Sequence, residues 1–354
     1  MLVGITPSRS QPEDIRLVVM ADLSALAPRV LCLGEALVAR LGPLGGDPAT
    51  APPEACDDRL GGAPANVACA LARLGTPVGL IARLGEDATG AEFIELFQRR
   101  GVDLQALQSD PSRPSRVVLV RRHANGERVF QGFAGDQTLG FADQMLDRVE
   151  LEAVWPGVSD QARWLLVGSI PLAAMASADS LQWVLAQAKS AGLALAVDVN
   201  WRPTFWNPEA DPAAGPTADA LALIKPLLEQ ASLLKLAREE AVWFFGSDDP
   251  AVIAAGLPQQ PDVVVTDGAE PVRWFIAKEA GSMTAFPPSQ VIDTTGAGDA
   301  FTAGLLHCWD LPVNERLRFA SACGALVCGG AGAIDPQPQE QDVSAFLNTC
   351  SSRF

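Results

Sequence analysis

Short, continuously apolar runs recur along this chain and constrain its fold more than any other feature. Arg29-Val30-Leu31-Cys32-Leu33-Gly34-Glu35, Val78-Gly79-Leu80-Ile81-Ala82 and Trp164-Leu165-Leu166-Val167-Gly168 are the first of them. Leu193-Ala194-Leu195-Ala196-Val197-Asp198, Leu233-Leu234-Lys235-Leu236 and Val263-Val264-Val265-Thr266 follow. Strands without polar alternation are buried on both faces, as in a parallel sheet covered by helices. Helical stretches separate the runs, so the expected fold class is α/β with a mostly parallel central sheet. Function then belongs at the carboxyl ends of the strands. With 354 residues, 48% of them hydrophobic, the chain can hold one large α/β domain with an insertion.

Two stretches break the rhythm. Residues 37–60 are rich in Gly and Pro, and Arg116-Val117-Val118-Leu119-Val120-Arg121-Arg122, Asn125-Gly126 and Glu127-Arg128-Val129-Phe130 read as a hairpin with an Asn-Gly turn. Arg9, Glu13, Asp14 and Arg16 interrupt any apolar region near the start, so the first 28 residues lack a signal-peptide design and are expected to be a disordered extension, with Met20 as an alternative start. No apolar run is long enough to span a bilayer, which argues against a membrane. The net charge of −16 argues against nucleic acid but not against ATP, whose charge Mg²⁺ and local amides can handle. Seven cysteines without CxxC spacing read as reduced thiols of a cytoplasmic protein, with Cys32, Cys69, Cys323 and Cys328 as packing residues.

The chemistry concentrates in Asp293-Thr294-Thr295-Gly296-Ala297-Gly298-Asp299, which runs straight into Ala300-Phe301-Thr302-Ala303-Gly304-Leu305-Leu306. Small residues at 296 to 298 let consecutive amides converge on an anion, and the helix that follows points its positive end at the same place. A carboxylate beside phosphate repels it unless it is needed to take a proton from an attacking hydroxyl. The string also describes an ordinary glycine-rich turn capped by Asp299. Alone, it leaves both readings open.

A second segment, Gly61-Gly62-Ala63-Pro64-Ala65-Asn66-Val67-Ala68-Cys69-Ala70-Leu71-Ala72-Arg73-Leu74-Gly75, reads as a Gly-Gly, a proline near a helix start, an apolar helix and a glycine stop. Val67, Ala70, Leu71 and Leu74 suit a buried helix. Asn66 offers a donor and an acceptor in its first turn, which suits a ligand rich in hydroxyls. Together the two segments closely resemble the signatures of the ribokinase-like (PfkB) carbohydrate kinases, with the similarity covering roughly residues 29 to 340. The resemblance implies a three-layer αβα domain over 29–345, with lid segments at about 37–60 and 113–136 forming a small β-sheet over the sugar and a tail at 346–354. It implies ATP-dependent phosphorylation of a sugar hydroxyl, with Asp299 as base, Gly296, Ala297 and Gly298 as anion hole, and Gly62 and Asn66 on the sugar. It further implies Lys235, Thr266, Gly268 and Ser321 on the nucleotide, and a homodimer formed through the lid.

Other positions match or depart from that pattern. Asp198-Val199-Asn200-Trp201-Arg202-Pro203 follows an apolar run and is similar to the Asp-x-Asn-x-Arg segment of fructokinases, making Arg202 a candidate for the phosphate or the sugar; polar loop caps are the alternative. Glu240 aligns with the glutamate that orders Mg²⁺ through water, although Ala237 stands where relatives carry Asn or Ser. Asp293, Thr295 and Gly332 resemble the loop pair that holds potassium. Gly34-Glu35-Ala36-Leu37-Val38-Ala39 looks like the first-strand motif Gly-Glu-x-Leu-x-Asp, with Ala39 replacing the aspartate that grips two sugar hydroxyls. Pro271 replaces the second glycine of the ATP-side turn. Fructose is the leading substrate, with ribose, 2-keto-3-deoxygluconate or a nucleoside as rivals and a non-catalytic sugar-binding protein as the alternative of another class.

Overall fold

A computed structural model describes residues 27–123, 128–135 and 138–351. The expected N-terminal extension up to residue 26, the Met20 start and the Asn125-Gly126 turn lie outside the described residues. Pro28 is buried, and the Arg29 amide donates to the Pro77 carbonyl at 2.9 Å, so packing against the body already includes the position before the expected boundary.

Strand β1 (Val30–Leu33) is followed by β2 (Leu37–Leu44) and β3 (Asp57–Gly61), then helix α1 (Ala63–Arg73), β4 (Val78–Gly85), α2 (Ala88–Arg100) and β5 (Leu107–Asp110). The hairpin β6 (Arg116–Arg122) and β7 (Arg128–Phe133) leads to α3 (Arg148–Ser159), β8 (Trp164–Val167), α4 (Met175–Ser190) and β9 (Ala194–Asp198). After the short α5 (Pro203–Trp206) come α6 (Ala218–Leu228), β10 (Leu233–Ala237), α7 (Arg238–Phe245) and α8 (Pro250–Ala255). The chain then forms β11 (Asp262–Thr266), β12 (Val272–Ile276), β13 (Glu279–Met283), α9 (Ala297–His307), α10 (Val313–Val327) and α11 (Glu340–Ser351).

One nine-stranded sheet has the order β13-β12-β11-β10-β9-β8-β1-β4-β5, parallel except at its β11-β12-β13 edge. The six apolar runs form β1, β4, β8, β9, β10 and β11, which bury both faces, while β5, β12 and β13, which no apolar run announced, add partly exposed edges. In β1, Val30 and Cys32 join one core with α1, α2, α9 and α10, while Leu31 and Leu33 join the other with α3, α4, α6 and α8. The result is a three-layer αβα sandwich. Chain direction across the sheet reverses at β1, with β4 and β5 on one side and β8 to β11 on the other, and the crevice at such a switch point is where α/β sheets bind ligands.

A four-stranded sheet, β3-β2-β6-β7, forms the lid. Ala39 lies within its strand β2 rather than at the end of the first strand, where the motif alignment put it, because β1 ends at Leu33 and the chain turns at 34–36 into a new strand paired with β6. The expected tail is also corrected: α11 runs to Ser351, since Val343, Phe346 and Leu347 at helical spacing pack on the core, with Phe346 edge-on to Phe286 at 5.7 Å.

Candidate active site

Gly62 and Gly296 fix the two helix starts that frame the site. Gly62 is the N-cap of α1 at φ 103, and a side chain there would collide with the Glu35 carbonyl. Gly296 is the N-cap of α9 at φ 79, and a Cβ there would lie 2.5 Å from that of Ala333. Both need glycine for conformation and for space. Gly298 differs, being an ordinary member of the first turn of α9, where an added Cβ would sit 3.1 Å from Lys235 Nζ.

The α9 start carries the amides expected to bind an anion. Ala297 is removed from the expected anion hole, because closing the turn commits its amide to the Thr294 carbonyl at 3.2 Å. The amides of Gly298 and Asp299 have no acceptor among the described residues, as first-turn amides do when no cap reaches them. Gly296 and Gly298 line a cavity of about 520 Å³ under the lid, and Ala297 does not.

Asp299 lines the same cavity, and its Oδ2 accepts a 2.8 Å hydrogen bond from Asn66 Nδ2 on α1. Burial, then the nearby Asp198 carboxylate, pushes its pKa up to about 6, while Asn66, Lys235 and Arg202 pull the other way. Asn66, expected on the sugar, is thus hydrogen-bonded to the expected base. Its other amide atom, Oδ1, is buried without a hydrogen-bond partner among the described residues.

Strand register builds the floor. Lys235 pairs with Asp198 across β10 and β9, and its Nζ lies 3.1 Å from Asp198 Oδ2, an oxygen that also accepts from Thr302 on α9 at 2.8 Å. Burial opposes the charge on Lys235, but Asp198, Glu240 and Asp299 outweigh it and raise the pKa of the ammonium. Asn200, at φ 46, and Arg202 follow β9 into the cavity wall. Glu240 also lines the cavity, yet both its oxygens are engaged, accepting from the amides of Trp201 at 2.7 Å and Ala237 at 2.8 Å. Burial raises its pKa against the opposing pull of Lys235.

Thr266, Gly268 and Ser321 lie outside the residues lining this cavity. Thr266 Oγ1 donates to the Leu236 carbonyl at 3.4 Å, and the Ser321 hydroxyl is buried on α10 without a partner among the described residues. Asp293, Thr295 and Gly332 do come together: Asp293 Oδ1 accepts from the Thr295 amide at 3.0 Å and hydroxyl at 2.7 Å, and Oδ2 from the Gly332 amide at 3.1 Å.

Glu35 is the cavity residue that sequence reasoning left unassigned. It is 3% exposed, accepts from the Ala63 amide at 3.0 Å, and is pushed by burial up to about 7, with Asp143 and Asp299 adding to the rise. Its signal was a carboxylate two residues past a fully buried strand. The lid contributes Leu37, Ala39, Val118 and Phe130 to the opposite wall.

A parallel αβα sheet with a β lid over a helix start whose first amides are open is the arrangement of a small-molecule kinase. Residues 27–340 match the pfkB family carbohydrate kinase pattern, and the chain belongs to that family. It is 33% identical to the fructokinase of Klebsiella pneumoniae over 303 residues, covering 81% of this chain and 91% of that one. Its fold is similar to that of the fructokinase of Xylella fastidiosa with bound ATP, with a TM-score of 0.75, 27% identity, and 91% and 98% of the two chains covered. It is also similar to a double mutant of the fructokinase of Vibrio cholerae O395 in fructose-, ADP- and potassium-bound form, with a TM-score of 0.74, 27% identity, and 91% and 98% covered. The chain is therefore a sugar kinase, a phosphotransferase with an alcohol group as acceptor.

Proposed function

We propose that this kinase transfers the γ-phosphoryl group of ATP to a hydroxyl of fructose, giving fructose 6-phosphate and ADP. The observation that carries the reading is Asp299, a carboxylate with its pKa near neutrality, in a cavity beside the open amides of α9. The acceptor hydroxyl approaches Asp299, its proton passes to Oδ1 or Oδ2, and its oxygen attacks the γ-phosphorus as the bond to the bridging oxygen of ADP breaks. The amides of Gly298 and Asp299, with the α9 dipole, take up charge on the transferred group, and Arg202, which lines the same cavity, supplies a cation. Lys235, already committed to Asp198, keeps three neighbouring carboxylates from repelling the phosphate.

Among the described residues no group of three or more His, Cys, Asp or Glu side chains could hold a metal alone. Mg²⁺ would come with the nucleotide phosphates and screen their charge, and Glu240, which lines the cavity, would orient its water shell. Asp293, Thr295 and Gly332 suit a monovalent cation behind the α9 start. The adenosine is assigned to the side of Thr266, Gly268 and Ser321.

A release assay for ADP against a panel of sugars tests the reading. Turnover with fructose above all others supports it; no ADP with any sugar or nucleoside points to a binding protein. Ala39 favours a second reading. The apolar lid wall suits a sugar with fewer hydroxyls on that edge, and a preference in the same panel for 2-keto-3-deoxygluconate would select it.

A further inference from the structure

We infer that Arg116 is the hinge pin of the lid, a positioning residue that sets the cavity-facing residues of α5. This deepens the sugar-kinase reading and rests on it. Arg116 opens strand β6, yet its side chain is only 4% exposed. Its Nε and Nη2 donate to Asp143 Oδ2 and Oδ1 at 2.8 and 2.9 Å, and Asp143 belongs to the 142–145 turn on the body side. The guanidinium also lies over the rings of Phe133 on β7, Phe141 and Phe205 on α5, at 4.9, 4.4 and 4.7 Å from their centroids. One planar cation therefore touches lid, body and the element that follows Arg202. A bidentate fork with three ring faces restricts orientation as no lysine can.

The neighbouring chain is already pinned. Ser115 donates from its amide and hydroxyl to Asp87 at 2.7 and 2.9 Å, and the Ala142 amide reaches the Pro114 carbonyl at 3.0 Å. Arg116 is thus the first lid residue beyond these anchors. Across the ring of Phe205 the same contact reaches the stretch Arg202, Pro203, Thr204 and Phe205, all of which line the cavity. Asp143 also faces Glu35 and Arg83 around a small adjoining cavity, so Arg116 neutralises a carboxylate that otherwise stands against Glu35. Buried ion pairs add little net stability over apolar replacements, and what they supply best is a fixed geometry.

The test uses the full chain with Arg116→Met, Arg116→Lys and the double variant Arg116→Met/Asp143→Leu. Sugar KM should rise at least about tenfold in the single variants, with kcat and the KM for ATP changing much less. Hydrogen exchange should accelerate at 203–207 and 128–133 while 297–307 stays protected. The double variant should regain thermal stability without regaining sugar KM. Recovery of wild-type KM in the double variant, or unchanged exchange at 203–207 in Arg116→Met, overturns the inference. Wild-type protein silent on every sugar sinks the sugar reading instead, and the exchange measurement still decides the hinge.

Discussion

As the proposed base, Asp299 must be charged to accept a proton and yet sits where charge is disfavoured. With its pKa at about 6, the acid limb of the kcat/KM profile should fall below pH 6 and be flat above it. Asp299→Asn should lower turnover by roughly 10²–10⁴-fold with little change in ATP binding, and near-normal turnover in that variant removes the base from the mechanism. The glycines divide sharply. Gly296→Ala meets both a left-handed φ and the Ala333 backbone, whereas Gly298→Ala meets only the Nζ end of the Lys235 side chain at 3.1 Å. Activity should collapse in the first and survive in part in the second; equal loss in steady-state assays contradicts this. Ala39→Asp should lower the KM for fructose if the sugar offers hydroxyls to the lid, by an amount on the order of 1.5–3 kcal/mol per charge-assisted hydrogen bond. A KM that rises instead points to an unpaired carboxylate in the cavity and to the apolar-edge substrate. At this scale Asp299, Asn66 and Arg202 were legible because polar residues in apolar surroundings stand out. Glu35 was not, because its partners Ala63, Asp143 and Asp299 come from elements remote in sequence.

β1, β4, β8, β9, β10 and β11 of the main sheet were readable from their apolar runs, and the lid from its Gly/Pro content and hairpin pattern; the edge strands β5, β12 and β13 were not, because they are partly exposed and carry no continuous apolar run. What the runs concealed is Lys235. A lysine in the middle of Leu233-Leu234-Lys235-Leu236 carries no sign of its partner, because the pairing of β10 with β9 is decided by the whole sheet. The Asp143 that pins β6 is hidden for the same reason. Lys235→Met should leave Asp198 buried and unpaired and cost about 3–5 kcal/mol in chemical denaturation, and adding Asp198→Leu should recover most of it. A single variant as stable as the wild type shows that Asp198 finds charge compensation elsewhere.

Across the molecule, burial of carboxyls links stability to pH. Asp299 and Glu35 titrate at about 6 and about 7 in the folded chain, above ordinary values of 3.8 and 4.5. The folded state binds these protons more tightly, so their contribution to stability falls as pH rises from about 4 through 7. Asp248 and Asp310, held low by Arg273 and Arg163, work the other way, and their contribution is lost as pH falls below 3.8. Burial also holds His307 low, opposing the first pair near neutrality. The difference in melting temperature between Asp299→Asn and the wild type should therefore grow from pH 4 to pH 8 in substrate-free protein; a difference that shrinks refutes the assignment.

The bond from Asn66 to Asp299 carries a lesson about how such an enzyme can change its diet. In the proposed reaction one carboxamide would both present a face to the incoming sugar and hold down the pKa of the group that deprotonates it. Selection for a new sugar at position 66 cannot leave the rate law alone. Asn66→Ala should move the acid limb to higher pH as well as alter KM, so new appetites are expected to arise first on the lid, where Leu37, Ala39, Val118 and Phe130 touch the cavity without touching the base.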